Sequence, residues 1–199
     1  MLLHDKLVGY RIVLGSKSPR RRQLISDAGI EFELAMEYEC DESYPSEMDH
    51  TLVPEYLSVK KSQAYPQPLG DRDILITADT VVLLNDKILG KPKDREDAIG
   101  ILQSLSGNTH RVITGVTLRS ADKMESFSVS TDVCFSQLRK QEIEYYVDTY
   151  KPFDKAGSYG IQEWIGYIGI ESINGSFYNV MGLPIQRLYG VLERFIEQP

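Results

Sequence analysis

Thiols are scarce in this 199-residue chain. Its two cysteines, Cys40 and Cys134, stand too far apart in sequence to form a metal-binding or redox motif. A reduced, cytoplasmic setting is the simplest expectation. Histidine is scarce too: His4, His50 and His110 are scattered, which argues against a zinc site. No apolar run is long enough to span a bilayer. Residues 1–8, with His4, Asp5 and Lys6, lack the apolar segment of a secretory signal. Positive charge is in deficit as well. The 22 Lys and Arg face 29 Asp and Glu, a net charge of −7, and a nucleic-acid-coating protein wants a basic face. Neither nucleic acid nor a membrane is expected as a partner. A small anion can still be bound where cations converge locally. The chain has no internal repeat, low-complexity tract or clear linker.

What is present is ordinary globular material: 42% hydrophobic and 26% charged residues. The length supports one large domain or two small lobes with a proper core. Residues 11–15 read as a buried strand and 19–28 as a helix, so a βα unit opens the fold. Phe32 and Leu34 suggest a short strand, 37–47 an acidic loop, and 54–65 a helix that Pro66, Pro68 and Gly70 stop. A strong apolar strand over 74–84 turns at Asn85-Asp86 and returns through Ile88-Leu89. Asp94 caps a helix that Gly107 closes. Two long alternating strands follow, over 109–118 and 127–138, then a helix over 140–150. Residues 155–175 read as glycine-rich and irregular, and 184–195 as the closing amphipathic helix. Interleaved strands and helices make the fold class α/β.

The most informative stretch is Leu14-Gly15-Ser16-Lys17-Ser18-Pro19-Arg20-Arg21-Arg22. Pro19 suits the first position of a helix. Four cations then crowd the end of that helix which already carries partial positive charge. An anion bound there explains the crowding, held by backbone N–H groups, Ser16 and Ser18 hydroxyls and Arg forks. A basic turn pairing with surface acids is the alternative. The stretch is not a Walker loop, because the glycine spacing and Lys-Ser/Thr pair are missing.

Asp79 stands inside an apolar strand, where a carboxylate is costly unless paired or metal-bound. It can be a strand-end Asp bonded to a turn, a partner of a buried Arg, a metal ligand or a general base. Asp41 and Glu42 lie on the acidic loop, and adjacent loop carboxylates can feed one hard cation such as Mg²⁺. Lys60 and Lys61 share a helix and must point to different sides. Lys91 follows the hairpin return and is stiffened by Pro92. Cations at Arg20, Arg21, Lys61 and Lys91, with acids at Glu42 and Asp79 and no thiol nucleophile, suggest phosphate chemistry with Mg²⁺ and an activated water.

The same residues fall into motifs: Ser16-x-Ser18-Pro19-Arg20-Arg21, Asp41-Glu42, Lys61, Ala78-Asp79-Thr80-Val81-Val82 and Gly90-Lys91-Pro92. There follow Leu105-Ser106-Gly107-x-x-His110-x-Val112-x-Thr114-Gly115, Lys155-Ala156-Gly157-Ser158-Tyr159-Gly160-Ile161-Gln162 and Asn179-Val180-x-Gly182-Leu183-Pro184. In this order, from about residue 11 to the C-terminus, the chain resembles the Maf-like (septum-formation-inhibitor-like) nucleotide pyrophosphatases. The resemblance implies a single domain over 1–199. Its sheet would be mixed and strongly curved, with flanking helices and two lobes around a central cleft, as in inosine triphosphate pyrophosphatases. It implies a house-cleaning hydrolase that cuts nucleoside triphosphates between the α and β phosphates with a divalent metal, magnesium or manganese. The Lys155–Gln162 motif looks like the branch acting on dTTP and UTP.

On this resemblance Asp79 is the proton acceptor, and Arg21, Thr80 and Gln162 set specificity. Ser16, Arg20, Glu42, Lys61 and Lys91 serve phosphate and metal, with Glu42 and Asp79 the metal carboxylates. A homodimer is implied as well. Three positions depart from the pattern. Gly15 and Ser62 stand where alanine is usual, and Glu163 where glycine follows the glutamine. The first should only loosen a turn and the second is harmless, whereas the third bears on how closely the loop approaches a base. The other class of reading is a nucleotide-binding regulator of cell division without turnover.

Overall fold

The structure is a computed structural model and describes residues 1–197. The expected opening βα unit forms as β1 (Arg11–Leu14) and α2 (Pro19–Asp27), behind a short α1 (Leu3–Lys6). Next come β2 (Glu33–Leu34), α3 (Val53–Ala64), β3 (Asp73–Leu84), β4 (Lys87–Leu89) and α4 (Arg95–Leu105). The chain continues through β5 (Thr109–Arg119), β6 (Met124–Phe135) and α5 (Lys140–Tyr150). A 3-10 turn (Ala156–Ser158), α6 (Trp164–Gly169), β7 (Ile170–Asn174), α7 (Phe177–Val180) and α8 (Ile185–Glu197) complete it. The seven strands form one sheet in the order β2-β1-β3-β5-β6-β7, with β4 paired to β3. Pairing of β1 to β2 and to β3 is parallel, while β3–β4 and β6–β7 are antiparallel. The sheet is mixed, as expected.

Local chemistry explains the elements that were legible. Ser18 accepts from the Arg21 N–H and Pro19 takes the first turn of α2. Asn85 and Asp86 have φ of 47° and 62°, the left-handed pair a tight hairpin needs. Asp94 caps α4 by accepting from the Asp97 N–H, and Gly107 has φ of 68° just past its end. Two readings need correction. Residues 155–175 are not merely irregular, since they hold the 3-10 turn, α6 and β7. Gly166 is a packing glycine there: a Cβ would lie 1.9 Å from the Ile161 carbonyl oxygen. The last long strand begins at Met124 and stops at Phe135, earlier at both ends than its alternation suggests. The α1 helix carries no sequence signature; it is tied down by Lys6, whose Nζ is 2.7 Å from Glu193 and 2.5 Å from Glu197.

The chain divides into two compact units. The first comprises Met1–Asp79, Thr114–Val129 and the chain from Gly182 onward. Its core includes Val13, Tyr65 and Leu75, with Tyr38 and Leu69 packed against them. The inner face of α8 buries Leu188, Val191, Leu192 and Phe195. Two buried hydroxyls link α3 to β5, with Ser58 Oγ 2.7 Å from Thr117 Oγ1. Gly115 lies so close to α3 that a Cβ would come within 2.3 Å of the Pro54 carbonyl carbon and the Glu55 nitrogen. The second unit comprises Thr80–Ile113 and Ser130–Met181. Leu102, Leu105, Phe135, Ile143, Tyr146 and Ile165 are at the centre of its core.

Candidate active site

The β1 strand ends in the turn that carries Ser16. Gly15 gives the turn close quarters: a Cβ would lie 2.8 Å from Thr77 Cγ2 and 2.9 Å from Tyr38 Oη, so those side-chain ends would have to shift to admit one. Arg21 reaches back from the first turn of α2. Its Nε donates to the Gly182 carbonyl (2.7 Å) and its Nη1 to the Ala78 carbonyl (2.8 Å) and Ser16 Oγ (3.3 Å). One guanidinium thus ties the Ser16 turn, the middle of β3 and the start of the C-terminal segment. Burial pushes the Arg21 pKa down, and the nearby Asp79 carboxylate opposes it. The other cations of the turn are not all gathered on an anion site, since Lys17 pairs with Glu37 at the surface.

Asp79 closes the first segment of the first unit, and its side chain is 13% exposed. Lys61 Nζ, on the last turn of α3, lies 2.6 Å from Asp79 Oδ1 and 3.1 Å from Glu42 Oε1. A paired cation therefore explains how a carboxylate survives inside an apolar strand, and that cation is a lysine rather than an arginine. Tyr38 Oη donates to the Lys61 carbonyl (2.9 Å), holding the acidic loop against α3. Sequence reasoning missed this tyrosine, because an aromatic within an acidic loop gives no sign of which backbone group it will meet. Lys60 points elsewhere, to Asp41 Oδ2 (2.9 Å) and the Ser43 carbonyl (2.7 Å). Of the two lysines, Lys61 is the one that reaches Glu42 and Asp79. Bonds from Ser43, then Lys60, hold the Asp41 carboxyl well below the usual range. Asp41 and Glu42 are adjacent in sequence yet turn to different lysines.

The first unit thus gathers Glu42, Lys61 and Asp79, with Arg21 and Ser16 joined to the carbonyl just before Asp79. Arg20 is half-buried beside Arg21. Thr80, Lys91 and Gln162 belong to the second unit. Thr80 is the next residue along β3 and is half-buried, and Lys91 is exposed after β4. Gln162 lines a pocket of about 640 Å³ with Tyr167, Glu171, Ser172, Phe177 and Met181. Its Oε1 is buried and has no hydrogen-bond partner. Among the described residues no group of three or more His, Cys, Asp or Glu could hold a metal ion. A divalent ion held by protein carboxylates would have Glu42 and Asp79 alone.

Two motif residues turn out to be core groups. His110 is 2% exposed. Its Nε2 is 2.7 Å from Tyr159 Oη, and its ring stacks on Phe135 at 5.5 Å. Burial pushes its pKa down to about 4. Asn179 is fully buried and donates to the Val112 carbonyl (3.1 Å) and Thr131 Oγ1 (3.0 Å).

The fold is similar to that of a HAM1 protein from Coxiella burnetii, a solved structure that matches with a TM-score of 0.50. The match covers 93% of this chain and 99% of that one, at 13% identity. A family model described as Maf-like protein matches residues 11–195, and the chain belongs to that family. A Parabacteroides distasonis protein named dTTP/UTP pyrophosphatase is 53% identical, over 96% of this chain and 99% of its own. Proteins of the same name from Bacteroides thetaiotaomicron (93% and 96% covered) and Porphyromonas gingivalis W83 (97% and 98% covered) are each 51% identical. No helix among the described residues is long and apolar enough to cross a membrane.

Proposed function

We propose that this chain is a house-cleaning nucleoside triphosphate pyrophosphatase, hydrolysing dTTP and UTP to the monophosphate and pyrophosphate. Relatives at about half identity over nearly the whole chain carry that name. The observation that carries the reading at the site is Asp79, set in an apolar strand and fixed by a lysine that also reaches Glu42. Water attacks the α-phosphorus, a P–O bond forms, and the bond from that phosphorus to the bridging oxygen breaks. Asp79 takes the water's proton and pyrophosphate leaves. Lys61 holds the Asp79 carboxylate in place for this transfer. The Arg20 and Arg21 cations, with the Ser16 hydroxyl and the start of α2, favour the triphosphate by charge. On the family resemblance Lys91 is a further phosphate-binding cation, and Thr80 supplies a hydroxyl beside Asp79 in sequence.

Glu42 and Asp79 lie close enough for one cation to reach both, as Lys61 Nζ does at 3.1 and 2.6 Å, and Mg²⁺ takes one or two carboxylates and fills the rest with waters and phosphate oxygens. Glu42 and Asp79 would hold magnesium or manganese, which offsets charge on the phosphate oxygens. Gln162 is read as the base-recognising residue. A uracil or thymine edge presents carbonyl, N–H, carbonyl, and a carboxamide offers a matching acceptor and donor. Gln162 lines a pocket and its Oε1 is committed to no protein donor, which supports this: a turn of the side chain toward the pocket offers that oxygen to the base N–H. Both units are taken as one catalytic domain. It would act in the cytoplasm, where its two free cysteines stay reduced. It would act as a homodimer, which sedimentation tests.

The test is pyrophosphate release from a panel of nucleoside triphosphates, with Mg²⁺ and with chelator. Metal-dependent release from UTP and dTTP, with purines left alone, is the expected result. Gln162→Ala should then change the ranking of UTP, dTTP, CTP and GTP more than the rate on the best substrate. Nucleotide binding with no release would favour the regulator reading instead.

A further inference from the structure

Gln162 is one residue in a tightly tied turn, and the ties converge on its neighbour Glu163. The Gly160 N–H donates to Tyr146 Oη at 3.0 Å. The Tyr146 hydroxyl donates to Glu163 Oε2 in a short bond. Glu163 Oε1 lies 3.1 Å from Lys155 Nζ, and the lysine side chain is 9% exposed. A Cβ on Gly160 would sit 2.8 Å from the Glu163 carboxyl carbon, so the carboxylate lies directly on that glycine. The Glu163 N–H donates to the Gly160 carbonyl at 3.0 Å, and the Gly166 N–H to the Glu163 carbonyl at 2.8 Å. Within this turn Gln162 Oε1 is buried without any partner.

The pattern is more specific than packing requires. A buried ion pair is a costly way to stabilise a loop, and apolar residues of similar volume often do as well or better. What the charged group adds is geometry. Two carboxylate oxygens fix two different elements: α5 through Tyr146, and the start of the Lys155–Gln162 motif through Lys155. Gly160 and Glu163 are then both pinned, and the carboxamide between them has little freedom of direction. A recognition group held within narrow limits discriminates better than a loose one.

We infer that Glu163 is a positioning residue for base selection, holding the Gly160–Gln162 turn through Tyr146 and Lys155 so that the Gln162 carboxamide keeps its place at the wall of its pocket. The inference deepens the reading of Gln162 given above and rests on it. Glu163 touches no substrate atom in this role; it acts through its neighbour. The Glu163 carboxylate is directed to Tyr146 and to Lys155, a lysine it shares with Asp154 at 2.9 Å.

The test is the ratio of kcat/KM for UTP to that for CTP, measured in wild type, Gln162→Ala, Glu163→Ala, Glu163→Gln and Tyr146→Phe. Cytosine lacks the ring N–H that the Gln162 oxygen would accept. Glu163→Ala should narrow the ratio roughly 3- to 10-fold, the worth of about one hydrogen bond, chiefly by raising KM for UTP. Glu163→Gln still accepts from Tyr146 and still covers Gly160, and should keep most of the ratio. Tyr146→Phe leaves both partners in place without their bridge. It should narrow the ratio even if Glu163→Ala folds too poorly to assay. A Gln162→Ala/Glu163→Ala double variant should narrow no further than Gln162→Ala alone. A merely structural role would lower activity on both nucleotides by one factor. If Gln162→Ala moves the ratio while Glu163→Ala and Tyr146→Phe do not, the positioning inference is overturned and the base reading stands. If Gln162→Ala leaves the ratio unmoved, the base reading falls and takes this inference with it.

Discussion

His110 should make the fold acid-sensitive well above the range where carboxylates titrate. Its ring is sandwiched between Phe135 at 5.5 Å and the edge of Tyr159 at 5.3 Å. Nε2 meets the Tyr159 hydroxyl, and Nδ1 is buried with no partner. The imidazolium would place a charge in this apolar pocket and leave a buried N–H at Nδ1 unmatched. Burial accordingly lowers the pKa from 6.5 to about 4, with Asp132 opposing only weakly. At about 1.36 kcal/mol per pH unit, that difference is worth about 3 kcal/mol. The sign follows from proton counting. The unfolded chain takes up the proton as pH falls through 6.5, whereas the folded chain takes it up only near 4. Stability is therefore full above pH 6.5 and lost steadily between 6.5 and about 4, and this contribution is flat below that. Urea unfolding at intervals from pH 7.5 to 4 measures it. His110→Gln keeps an amide that can reach Tyr159 but cannot titrate in this range. Wild type should lose about 3 kcal/mol more than the variant across that interval. Parallel curves for the two proteins would refute the assignment of His110 as a buried neutral group.

Two substitutions in the first unit test packing. Gly115→Ala should destabilise by about 3 kcal/mol or more, or prevent folding, because its Cβ meets backbone of α3 at 2.3 Å and neither partner is a flexible side chain. Thermal melting and yield of folded protein read this directly. Ser62→Ala should raise stability by about 1 kcal/mol, since the Ser62 hydroxyl is fully buried and has no hydrogen-bond partner. A loss on denaturant unfolding would mean that the hydroxyl is satisfied after all.

The parts of this molecule that were legible are those whose chemistry is local. Pro19 after Ser18, Asn85-Asp86 between apolar runs, and Asp94 before α4 each announce a backbone conformation by their own side chains. The apolar stripe of α8 is equally self-contained, whereas the alternation read over 109–118 is not kept, since residues 112–118 are all buried. The 155–175 segment was not legible, because Gly166 and Gly169 look like breakers in sequence but permit close packing in the fold. Gly166 leaves room for the Ile161 carbonyl, and Gly169 faces Leu138 and Phe135. At the candidate site, the motifs named the residues but not their partners. The sequence spacing left Lys60 and Lys61 as a pair to be divided, and only the fold turns one to Asp41 and the other to Asp79. Tyr146 was readable as an inward residue of α5, yet its bond to Glu163 joins positions whose proximity no local pattern encodes. His110 was one letter of a motif until its ring was found buried among aromatics.

Pyrophosphate release from UTP and dTTP by wild type and by Asp79→Asn, with binding of a non-hydrolysable UTP analogue measured in parallel, tests the central claim most directly. The account predicts that the variant still binds nucleotide while turnover falls roughly 10²–10⁴-fold, the range for a positioned acid–base group. Near-normal turnover in Asp79→Asn would contradict it.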